Sequence, residues 1–70
     1  MVSTYIKIKS CGTRFCIDVN IEEGKTSIYV MLNGQLVAHG ERIELIDQMV
    51  RELQELRQEI EKNMKKFMER

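Results

Sequence analysis

Three dipeptides, Cys11-Gly12, Glu23-Gly24 and Asn33-Gly34, cut the first part of the chain into four short runs of alternating apolar and polar residues, and no proline interrupts them. Alternation with a period of two is the mark of a strand with one covered face. Asn-Gly between two such runs is the strongest short-range hairpin signal, because both central residues of a type I′ turn need positive φ. Cys-Gly and Glu-Gly are weaker forms of it, since their first residues tolerate that region less well. The spacing predicts strands over 2–10, 13–22, 25–32 and 35–39.

Register tests the turns, because a slip of one residue swaps the two faces of a strand. A turn at Cys11-Gly12 pairs Ile8 with Phe15 and Ile6 with Ile17; one at Glu23-Gly24 pairs Ile21 with Thr26 and Val19 with Ile28. The Asn33-Gly34 turn pairs Val30 with Val37 and Leu32 with Gln35. All three put the large aliphatic residues on one face, and that agreement predicts an antiparallel meander.

From Glu41 the period changes. Ile43, Ile46, Met49, Val50, Leu53, Leu56, Ile60, Met64 and Phe67 recur at spacings of three and four, which predicts an amphipathic helix over 41–69 with Gly40 as its N-cap. Acidic residues crowd its start and basic ones its end, as the helix dipole favours. The expected class is α+β, one domain over 1–70 with a meander over 1–39 and a helix that packs on it and mediates dimerisation. Such a helix is about 43 Å long, against about 27 Å for eight-residue strands. Two or three turns are therefore expected to project, carrying apolar side chains that mark an interface. The expected dimer surface is Ile46, Met49, Leu53, Leu56, Ile60, Asn63, Met64 and Phe67, with Asn63 at a heptad position where it would set register. Helix direction in the dimer stays open at this point.

The outer sheet face collects Tyr5, Lys7, Lys9, Arg14, Cys16, Asp18, Tyr29 and Met31. Its expected cross-strand rows are Tyr5, Asp18, Tyr29 and Ala38, then Lys7, Cys16, Met31 and Leu36. Aromatic and basic side chains together suit single-stranded nucleic acid, whose bases stack while Lys and Arg follow phosphates. An ordinary solvated sheet face has the same composition.

Seventy residues, with eleven basic and eleven acidic side chains, make one small domain with no global field to draw in nucleic acid or membrane. No segment has the pattern of a signal peptide or the length of a membrane span, so the expected location is the cytoplasm. Asp18 lacks a second carboxylate or a histidine beside it, and His39 stands alone in the sequence, so no catalytic residue, metal site or cofactor is expected. Cys11 and Cys16 lack Cys-x-x-Cys spacing, and the expected register holds them farther apart than the roughly 7 Å that a disulfide spans.

In outline, four strands followed by a dimerising helix is similar to the single-stranded-DNA-binding domain of the positive-cofactor family of transcriptional coactivators, a resemblance of shape. The leading functional expectation is a non-enzymatic homodimeric protein–protein interaction module, of the kind that small phage accessory or anti-defence inhibitors represent. Single-stranded nucleic-acid binding is the first alternative. Sequestration of a small anion in a dimer groove is the second.

Overall fold

The computed structural model describes residues 4–68. It has strands β1 (Tyr5–Cys11), β2 (Phe15–Glu22), β3 (Lys25–Leu32) and β4 (Gln35–Gly40), followed by helix α1 (Glu44–Met68). The strands form one antiparallel sheet in the order β1-β2-β3-β4, so the ββββα fold expected from the sequence is the fold observed. The start predicted for the first strand, at residues 2–3, and the helix end at 69 lie outside the described residues.

The turns at Glu23-Gly24 and Asn33-Gly34 form where expected. Glu23 and Asn33 take φ of 51°, and Gly24 and Gly34 take 78° and 83°. Both positions of each turn thus lie in the left-handed region that a type I′ hairpin needs. The β2–β3 register follows, with Ile21 opposite Thr26 and Val19 opposite Ile28.

The first hairpin corrects the sequence reading. Its chain reverses at Thr13 and Arg14, with the Gly12 N–H donating to the Phe15 carbonyl at 2.8 Å. Ile8 therefore faces Val19 and Ile6 faces Ile21, rather than Phe15 and Ile17. The turn moves by two residues, an even shift, so every side chain keeps its face. Cys11 now stands opposite Cys16, their Cα atoms are 4.1 Å apart, and the two form a disulfide, contrary to the expected separation. A directly opposed antiparallel pair brings Cα atoms to within about 4.5–5.5 Å, inside the range a bridge can span.

A bulge corrects the last hairpin. Leu36 pairs with Met31, but Ala38 rather than Val37 faces Val30, and His39 faces Tyr29. Val37 is the extra residue, so Ala38 turns to the helix side and His39 to the outer face.

Gly40 is the last residue of β4 and not the helix cap. The chain turns through 41–43, and the Leu45 and Ile46 N–H groups donate to the carbonyls of Arg42 and Ile43 at 3.1 and 3.0 Å. Leu45 packs back on Gly40, where a Cβ would lie 2.9 Å from its Cδ2. Acidic Glu44 and Asp47 occupy the first turn and basic Lys65 and Lys66 the last.

The buried core consists of Ile28 and Val30, at 1% and 3% exposure. Leu45, Ile46 and Met49 are half-buried, and no residue of α1 is fully buried. The molecule is long and thin, 70 × 21 × 14 Å, with the far half of α1 running beyond the sheet. No helix among the described residues is long and apolar enough to cross a membrane.

Candidate association and recognition surfaces

On the helix side, Phe15, Ile17 and Val30 of the sheet face Ile46, Met49, Val50 and Leu53 of α1 across an open groove. The sequence singled out Ile46, Met49 and Leu53 of these, and they stand together on one wall. Ile46 and Met49 are partly covered by their own sheet. Leu53, Leu56, Ile60, Asn63, Met64 and Phe67 are exposed, with Phe67 at 75%. Val50 was legible as part of the helical repeat but not as a groove residue. Leu45 was missed, because its contact with Gly40 comes from the turn at 41–43 and not from the repeat. The groove lining is wholly apolar, with no hydrogen-bond donor side chain.

The apolar surface continues past the groove. Ile6, Ile8 and Phe15 on β1 and β2 remain 43–50% exposed, and Val37 at the bulge is similarly open. The charged side of α1 is ordinary: Arg57 Nε and Glu61 Oε1 form an exposed i,i+4 pair at 2.6 Å, a contact of little energetic weight in water.

On the other side of the sheet, the corrected registers bring together residues that the expected rows did not. Lys9, Asp18, Tyr29 and His39 now form one row, replacing Tyr5, Asp18, Tyr29 and Ala38. The Tyr29 and His39 rings stack, with centroids 4.6 Å apart and planes 9° from parallel. Cys11 replaces Lys7 in the row of Cys16, Met31 and Leu36, while Lys7 lies opposite Asn20. Tyr5 stands opposite Glu22 and donates its hydroxyl to Asn20 Oδ1 at 3.3 Å. A shallow depression on this face is lined by Tyr5, Asn20, Glu22, Ser27 and Tyr29, among others. Arg14 leaves the face for the hairpin turn, where its carbonyl accepts from the Asn33 N–H at 2.9 Å. Asp18 Oδ1 is buried without a partner.

Four members of this surface, Cys11, Asn20, Glu22 and His39, escaped sequence reasoning, although Asn20 and Glu22 follow Asp18 at the same alternation. His39 could not have been found, since nothing in Leu36-Val37-Ala38 announces a bulge. Cys11 could have been, because Cys11 and Cys16 lie symmetrically about Thr13-Arg14. Among the described residues, no three His, Cys, Asp or Glu side chains come close enough to hold a metal ion. The sequence matches no family model, no curated protein and no solved structure, so the fold and these two surfaces are the whole basis for assigning a role.

Proposed function

We propose that the protein is a non-enzymatic protein–protein association module whose working form is a homodimer. One observation carries this reading. The chain exposes 6502 Å², whereas a compact monomer of its 8.3 kDa mass exposes about 4,600 Å². The surplus of about 1,900 Å² lies within the range of about 1,000–2,500 Å² that each partner buries in an obligate homodimer. The surplus is also apolar where it matters, along Leu53, Leu56, Ile60, Met64 and Phe67. Among the described residues the buried core is Ile28 and Val30, small for a chain of this length. The dimer then displays two outer sheet faces, each offering a protein partner the stacked Tyr29 and His39, with Asp18 and then Lys9 following in the same row.

Sedimentation equilibrium at micromolar concentration tests the first part. The expected mass is twice that of the chain, and Ile60→Glu gives monomer or unfolded protein. A folded wild-type monomer removes the proposal. A cytoplasmic location belongs to the same reading, and there Cys11 and Cys16 are thiols, since reducing compartments do not sustain such bonds. Alkylation before cell lysis tests this, and protection of both cysteines would place the protein elsewhere.

Single-stranded nucleic acid is the second reading, supported by the Tyr29–His39 stack on a face that also carries Lys7 and Lys9. It stands second because Asp18 and Glu22 share the face and repel phosphate. Fluorescence anisotropy with a labelled oligothymidylate decides. Binding that falls steeply with salt and needs Lys7 and Lys9 favours it, and no binding at low salt ends it.

A further inference from the structure

The inner face of the sheet is too wide for one helix. Four strands spaced about 4.8 Å apart make a surface about 19 Å across, and a helix with its side chains covers about 10–12 Å. α1 sets Ile46 and Met49 across the groove from Val30 of the inner strand β3, and Val30 is buried there. The strip over β1 and β2, with Ile6, Ile8 and Phe15, stays open beside it, and the groove runs between the two. The chain therefore leaves about 7–9 Å of the sheet's width, most of a second helix, without cover. It also has one half-helix too many: Leu56 to Met68 rises about 18 Å past the sheet with Ile60, Met64 and Phe67 bare.

We propose that a second copy of this chain fills the groove, with the two α1 helices antiparallel about a two-fold axis near Leu56, so that the far half of each helix lies over β1 and β2 of the other subunit. This rests on the homodimer reading above and specifies its geometry. One rotation meets both needs, because in an isologous pair the surplus of one subunit covers the deficit of the other. Charge supports the direction. In the near half of α1, Glu44, Asp47, Glu52 and Glu55 outweigh Arg51; in the far half, Arg57, Lys62, Lys65 and Lys66 outweigh Glu59 and Glu61. An antiparallel pair sets the acidic half of one helix along the basic half of its partner, whereas a parallel pair sets like on like. A parallel pair would also leave Ile6 and Ile8 uncovered.

Photo-crosslinking tests the arrangement on the otherwise native chain. Phe67 is replaced by p-benzoylphenylalanine in one isotopically labelled population, mixed with an unlabelled one, irradiated and mapped by mass spectrometry. The expected result is an intermolecular link from position 67 to residues 6–8 or 15–17. Links from position 67 only to the partner's residues 60–68, in a protein that sediments as a dimer, overturn this geometry and leave the homodimer reading intact. A monomer with no intermolecular link overturns both. Ile8→Asp gives an independent check, since Ile8 is half-exposed in the single chain and its substitution need not disturb the fold. The dimer dissociation constant should rise at least about tenfold, with far-UV dichroism retained. An unchanged constant counts against the proposal.

Discussion

The two halves of α1 carry the same apolar spacing and meet different fates. In the near half, Leu45, Ile46 and Met49 are half-buried, Leu45 against Gly40 and the other two across the groove from Val30. In the far half, Ile60, Met64 and Phe67 follow the same three-and-four rhythm with nothing over them. Periodicity thus establishes that a helix has an apolar face, and says nothing about what covers it. Cover is decided by lengths and widths, here a helix longer than its strands and a sheet wider than its helix.

The contrast can be broken at its covered end first. Ile28→Ala should cost about 2–5 kcal/mol, the usual loss for a fully buried aliphatic side chain. Urea titrations of this variant and of the wild type, compared at one protein concentration, measure it. At the bare end, Ile60→Ala should cost about 1.5–3 kcal/mol if the proposed dimer buries this side chain. Its midpoint should move with protein concentration, as mass action requires of a dimer. A loss of zero at every concentration would mean that the far half is bare in solution as well.

Two smaller effects sharpen the comparison by locating stability that owes nothing to the helix. Replacing Cys11 and Cys16 together by serine should cost about 2 kcal/mol, the loop-closure estimate for so short a ring. Thermal melts of the double variant and of the reduced wild type should agree. Glu23→Asn should raise stability by about 0.5–1 kcal/mol, since Asn tolerates the positive φ that Glu23 adopts. A loss there would show that the Glu23 side chain matters for more than its backbone.

The same turns explain which parts of the fold were legible. Glu23-Gly24 and Asn33-Gly34 carry their own backbone signature, so β2, β3 and the start of β4 fell into register from sequence. Cys11-Gly12 mimicked that signature, yet Gly12 does not take positive φ. Alternation could not expose the error, because it is unchanged by an even shift. The faces of β1 and β2 were therefore right while their rows were wrong, and the Lys9–Asp18 pairing and the Cys11–Cys16 bond were lost together. His39 reached the outer face through a bulge at Val37 that no residue preference marks. The helix stripe was readable because it depends on local spacing alone.

The outer strands of the sheet decide whether association stops at a closed pair. Both edges have unpaired backbone groups, the usual template for strand-on-strand growth into filaments. On β1 that growth would stack Lys7 and Lys9 against a neighbour, and on β4 the extra residue at Val37 breaks the regular ladder. Both features disfavour lateral extension, and in the proposed dimer the contact falls instead on the greasy underside, where a two-fold pair leaves no free end for a third subunit.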